Sequence, residues 1–366
     1  MAIHFSAERW QRVKDTHRSW WRGDVGRPLI QAAVGGRDPK RAEPALPRRH
    51  FHAHYDPDVS PEEVIDRVDF ELSSRRWFAD GFPSMWPNFG PGVIAAFTGC
   101  TLESDERTCW FHPQEDIPCG QMPLEFHPES YWFQRIADLS RAGLERWEGL
   151  VQIGMTDLGG NLDILSSFRP GEKLLLDLYD CPEDVKRVTW KAHEIWWRYY
   201  EAFNEILQPV NPGYTAWTPI YSESPYYILQ CDFCYMIGPD MFDEFVKPEL
   251  AASCRRLGNA FYHLDGPGQL PHLDSLLSIP ELKGVQWVPG DGNPDVAYWP
   301  EVYRKIHEAG KLIQVWPTAE YGFGILDVLA EQIGTAEGIV VIGEVGTEDE
   351  SHIRDICRKY DAPWDS

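Results

Sequence analysis

The densest run of candidate chemistry in this chain is Tyr262-His263-Leu264-Asp265-Gly266-Pro267-Gly268. An apolar stretch precedes it, and a Gly-Pro-Gly turn follows. His263 and Asp265 lie two apart, so on a strand they share one face and can point an imidazole and a carboxylate at one cation. Glu344, in Val341-Ile342-Gly343-Glu344-Val345, leaves a similar apolar run and can supply a third ligand. Imidazole plus two carboxylates suits zinc or another divalent metal with an open coordination position. The plainer reading is that Asp265 caps the turn and His263 hydrogen-bonds internally. Spacing alone leaves both open.

Other acids and indoles extend the set. Asp232 sits inside Cys231-Asp232-Phe233-Cys234, whose C-x-x-C spacing has no second pair to make a zinc knuckle. Asp157 and Asp163 flank Gly159-Gly160-Asn161, a turn from which a carboxylate can reach substrate. Asp265, Asp232 and Asp157 are the candidate catalytic groups. Trp217, Gln286, Trp287 and Trp316, each near the end of an apolar run, are the candidate substrate contacts. A second His-x-Asp, His272 with Asp274, reads as the start of a helix. The chain has no P-loop, no G-x-G-x-x-G after a strand, no G-x-S-x-G and no H-E-x-x-H. Nucleotide-driven chemistry, dinucleotide cofactors and serine hydrolysis lose support accordingly.

The elements that must position these groups alternate. Runs at 28–34, 150–155, 214–217, 228–230, 260–263, 284–288, 312–316 and 338–342 read as strands. Several are separated by helical patterns, notably the long one from Pro182, whose Val185, Val188, Ala192, Ile195, Tyr199, Phe203 and Ile206 trace a buried stripe. Such alternation predicts a parallel α/β sheet, and the strand count suits a (β/α)8 TIM barrel better than a doubly wound sheet. In a barrel, catalytic residues gather where strands end and βα loops begin. The expected layout is one domain. An N-terminal helical extension covers 1–27, and the barrel occupies 28–366. A Trp- and Pro-rich insertion at about 77–127 decorates the mouth. Ser60 and Glu63 form a capping-box pattern before a helix.

Composition narrows the partners. There are 34 basic against 57 acidic side chains, a net charge of −23, so nucleic acid and anionic membranes are poor partners. Eight scattered cysteines are too few for a disulfide scaffold in 366 residues. No apolar run is long enough to span a bilayer and the start lacks a signal-peptide pattern, so a cytoplasmic location is expected. Sixteen Trp, fifteen Tyr and seventeen Phe are an unusual load, which serves either a large core or a site for ring-shaped ligands.

The stretch Gln230 to Pro248 (QCDFCYMIGPDMFDEFVKP), followed by His263-Leu264-Asp265-Gly266, resembles the uroporphyrinogen decarboxylase-like superfamily, in particular its zinc-dependent, corrinoid-linked methyltransferases. The likeness runs over roughly residues 150–345 and implies a (β/α)8 barrel. In the thiol-methylating members a His-x-Cys-Gly motif gives two zinc ligands and a later Cys the third. Here His263 matches the His, Asp265 stands in place of the Cys, and Glu344 lies near the later ligand's position. Oxygen ligands make a harder Lewis acid, suited to polarising an ether, alcohol or carboxylate oxygen rather than activating a thiol. The decarboxylase's arginine-rich N-terminal motif is absent after Pro28.

The resemblance therefore implies removal of a methyl group from a small O-methylated substrate, aided by a divalent metal or a general acid at His263 and Asp265. The acceptor would be a corrinoid on a separate small protein. This chain lacks the corrinoid box D-x-H-x-x-G, because Lys305 occupies the Asp position ahead of His307 and Gly310. Two other classes remain open. A carbohydrate-active hydrolase, lyase or isomerase would use indoles and paired carboxylates. A binding barrel would keep the fold without chemistry.

Overall fold

The computed structural model describes residues 3–364. Eleven strands occur among them: β1 Leu29–Val34, β2 Arg76–Ala79, β3 Ser84–Met85, β4 Thr101–Ser104, β5 Cys109–His112, β6 Gln152–Ile153, β7 Tyr226–Leu229, β8 Asn259–Asp265, β9 Leu282–Val288, β10 Leu312–Val315 and β11 Ile339–Val345. Seven form one sheet in the order β2-β1-β11-β10-β9-β8-β7. All neighbours in it are parallel except β1 with β2. β3 and β6 make a short parallel pair, and β4 and β5 an antiparallel hairpin. Helices separate the parallel strands, so the chain is α/β with a predominantly parallel sheet.

The first helix, α1 (Ala7–Trp21), packs across the sheet. Ser6 caps it by accepting from the Arg9 amide at 3.2 Å, and Glu8 sits in its first turn. Its buried stripe is Trp10, Val13, His17 and Trp20. His17 Nε2 lies 2.7 Å from Gln31 Nε2 on β1, while Trp20 stacks on Phe261 of β8 at 6.2 Å. β1 and β8 are four places apart in the sheet. α1 therefore lies across one face of the sheet, its buried stripe touching both β1 and β8.

Several local readings hold. The helix α2 (Pro61–Ser73) starts with the expected capping box, Glu63 N donating to Ser60 Oγ at 3.2 Å and Ser60 N to Glu63 Oε2 at 3.0 Å. Others change. The run at 150–155 pairs over only two residues, and 214–217 contributes a single bridge, Tyr214 with Ser222. Pro212 and Pro219 flank the latter segment, and proline has no amide to donate to a ladder. A π-turn at Phe242–Val246 interrupts the helix after Pro239. Pro248 cannot donate to the carbonyl four residues back, and the Lys247 amide reaches Phe242 instead. Within 77–127, β2 joins the seven-stranded sheet, β3 pairs with β6, and β4 and β5 form a hairpin of their own.

Candidate functional site

On β8 side chains alternate. Phe261, His263 and Asp265 share the face that meets α1, whereas Tyr262 and Leu264 are buried on the other side. Phe261 meets α1 near the start of the strand, so His263 and Asp265 emerge at its carboxyl end. β7 ends at Leu229, and the chain turns through Gln230 into a one-turn helix, Asp232–Met236, beside them. One ligand atom from each of Asp232, His263 and Asp265 lies within 4.8 Å of the other two.

His263 is held in a defined orientation. Its Nδ1 is 2.5 Å from Gln286 Oε1, on the neighbouring strand and in register with it. With the amide oxygen accepting, Nδ1 carries the proton and Nε2 keeps its lone pair, 3.9 Å from Asp265 Oδ2. Trp217 meets the imidazole edge-on, 5.2 Å between centroids at 83°. Burial holds the His263 pKa below its usual value, against the opposing pull of Asp265 and Gln286, so the ring is neutral near pH 7.

Asp232 is fixed through its backbone. Asp163 accepts from the amides of Asp232 at 3.1 Å and Phe233 at 2.8 Å. That approach needs a glycine at 160, where a Cβ would stand 2.2 Å from the Gln230 carbonyl oxygen and 2.5 Å from Asp163 Oδ2. The acids crowd one another. Crowding by the surrounding protein first, then the charge of Asp265, pushes Asp232 up to about 6, although the residue is exposed to solvent. Burial and the charge of Asp232 push Asp163 up to about 7, despite the two amides it accepts. Asp163 is the functional position that the sequence reading left out of its catalytic set. The signal for it was its place beside the double glycine.

The remaining sequence candidates separate. Glu344, expected as the third metal ligand, instead pairs with Arg75 at 2.7 Å from Oε1 to Nε. It lines a different cavity of about 190 Å³, together with Trp316, Arg75 and Pro219. Trp287, expected at substrate, is fully buried against Trp299 at 5.2 Å. It follows Gln286 on β9, and adjacent strand residues take opposite faces, so the two cannot both face His263. Gln286 does, as an orienting group for His263. Asp157 is buried and held by structural contacts, accepting from Gly159 N at 2.9 Å and lying 3.5 Å from the Tyr227 hydroxyl on β7. Burial, and then the charge of Asp232, pushes Asp157 up to about 7 against the Gly159 hydrogen bond.

The three clustered ligand atoms fit a divalent ion chemically. One neutral imidazole and two carboxylates leave a fourth position open. With bonds of about 2.0–2.2 Å, one ion spans at most about 4.2 Å between ligand atoms. The 3.9 Å His263–Asp265 separation is already within that reach, and the widest pair needs a small side-chain adjustment. Beside Asp232 opens a cavity of about 480 Å³, walled by Trp110 and Phe111 of the β4–β5 hairpin and by Asp163, Ser167 and Gln230.

Comparisons with known proteins bear on the fold. No family model matches the chain, and no curated protein matches it. Among solved structures it is similar to a methyltransferase from Methanosarcina mazei, with 13% sequence identity over 91% of this chain and 93% of that one, at a TM-score of 0.59. At that identity the likeness concerns the arrangement of the chain, which the two proteins share along nearly their whole lengths.

Proposed function

We propose that this chain is a methyltransferase of the uroporphyrinogen decarboxylase-like kind, its sheet completed as a (β/α)8 barrel by the β3–β6 pair and the 214–217 segment. Its substrate is a small O-methylated molecule bound at the carboxyl ends of β7 and β8. The observation that carries this reading is the convergence of Asp232, His263 and Asp265, with Gln286 turning the lone pair of His263 toward the acids. The shared fold with a methyltransferase supports the reaction class.

In the transfer, the bond between the methyl carbon and the substrate oxygen breaks. The electron pair stays on oxygen, which then takes a proton, and the methyl group leaves to a nucleophile. Asp232, His263 and Asp265 would hold a divalent ion, which would lend Lewis acidity to that oxygen. The nucleophile would be a reduced corrinoid brought by a separate protein, since the sequence lacks the box D-x-H-x-x-G. The protein's own part is positional. Asp163 fixes Asp232, Gln286 fixes His263, and Trp217 covers the ring from one side and keeps water from it.

Elemental analysis of the purified protein beside Asp232→Asn, His263→Ala and Asp265→Ala tests the centre. Stoichiometric metal in the parent and its loss in the variants is expected. Equal content in all four would remove the site. Formation of the demethylated alcohol from methyl ethers, only when reduced corrinoid is added, tests the reaction.

A further inference from the structure

We propose that the cavity beside Asp232 binds an uncharged, polyhydroxylated ring, so that the substrate is an O-methylated monosaccharide or a similar cyclic polyol. The assignment rests on the methyl-transfer reading for the fate of the methyl group, but the ligand class follows from the walls.

The cavity has two unlike sides. One is aromatic: Trp110 on the β4–β5 hairpin is 44% exposed, and the buried Phe111 follows it on the strand. The other is polar and made of hydrogen-bond acceptors. Asp163 and Asp232 contribute carboxylates. Gln230, which borders the cavity, is 4% exposed, and its Oε1 is buried with no hydrogen-bond partner among the described residues. A buried carbonyl left in that state costs about 1–3 kcal/mol unless something donates to it. Ser166 and Ser167 also line this side, and both hydroxyls already donate to the Asp163 carbonyl, at 2.8 and 3.1 Å. Their remaining capacity is to accept.

A wall of acceptors calls for a ligand rich in donors. The hydroxyls of a sugar meet it on one side, while the C–H face of the ring packs on the indole on the other. Anions are disfavoured. No lysine or arginine lines the cavity among the described residues, and two carboxylates outnumber its one histidine, His112. A small methylated amine offers too few atoms for about 480 Å³. Asp232 belongs both to this wall and to the His263 cluster, so a ring lying against Trp110 can extend a methoxy group to the reacting centre.

Ligand-observed NMR with the full-length protein tests this, using mono-O-methyl hexoses and methyl hexopyranosides, with 4-methoxybenzoate and tetramethylammonium as controls. Saturable binding of at least one sugar ether, and none of the controls, is expected. Trp110→Ala, a change on an exposed hairpin, should weaken that binding about tenfold while metal content stays at the parent level. Gln230→Leu, which removes the unpartnered acceptor, should weaken it too. Preference for the aromatic acid or the ammonium, or sugar binding indifferent to both variants, would overturn the assignment. Sugar binding with methanol release and no need of corrinoid would sustain the ligand class while removing methyl transfer. The two readings therefore fail separately.

Discussion

Gln286 Oε1 and His263 Nδ1 are 2.5 Å apart on adjacent, in-register strands, so one amide decides which imidazole nitrogen is free. Removing the partner that orients a metal-ligating histidine typically costs 10–100-fold in metal affinity. Gln286→Leu should lower metal affinity by that range in competition with a chromogenic chelator. Gln286→Glu, which restores an acceptor at the same reach, should recover most of it. Equal loss in both variants would mean that packing, rather than the hydrogen bond, holds the ring.

Metal retention should depend on pH with a sign set by Asp232. A carboxylate must be ionised to act as a ligand, and this one is pushed up to about 6. Bound metal should therefore fall as pH drops through about 6, with little change between 7 and 8. His263 must also be unprotonated to bind, and burial lowers its pKa in that direction. Asp232→Asn should bind less metal at pH 7.5 and lose the step near 6. Dialysis at stepped pH followed by metal analysis reads both.

Asp157 should make the fold less stable as pH rises. Its carboxyl is pushed from an ordinary 3.8 to about 7. Below about pH 4 it is protonated in both states and has no effect. Between about 4 and 7 the unfolded chain ionises first, so stability falls. Above 7 the full cost applies, on the order of 4 kcal/mol. Asp157→Asn can keep the hydrogen bond from Gly159 but loses an acceptor beside the Gly92 amide. Whatever constant offset that brings, the variant should gain on the parent between pH 5 and pH 8 in chemical denaturation. A parallel pair of pH profiles would contradict it.

The two indoles at 217 and 287 should separate cleanly. Trp287→Ala empties a fully buried site and should destabilise the protein by roughly 3–5 kcal/mol. Trp217→Ala removes a half-buried ring over His263 and should cost activity more than stability. Denaturation midpoints beside turnover for each variant give the comparison.

Glu344→Gln should leave metal content unchanged. Its carboxylate meets Arg75 at a partly exposed pair, which typically contributes about 0–1 kcal/mol. Loss of metal in this variant would return Glu344 to the centre.

Part of this organisation is legible in the order of residues. Strand–helix alternation predicts the α/β class, the Ser60–Glu63 spacing predicts the start of α2, and the two-residue gap from His263 to Asp265 places both on one face. The same periodicity sets Gln286 and Trp287 on opposite faces, because successive side chains of a strand must alternate.

Tertiary structure alone decided which third acid joins His263. β7 is hydrogen-bonded to β8, which brings Asp232 alongside, while β11 lies three strands away, about 14 Å along a sheet. Glu344 was therefore left to Arg75, although its spacing in the chain looked equally apt. The cavity wall likewise joins a hairpin at 101–112 to a turn at 230–232. Sequence patterning is local and reports the face a residue takes, whereas the neighbour it meets depends on the strand order that long-range pairing selects.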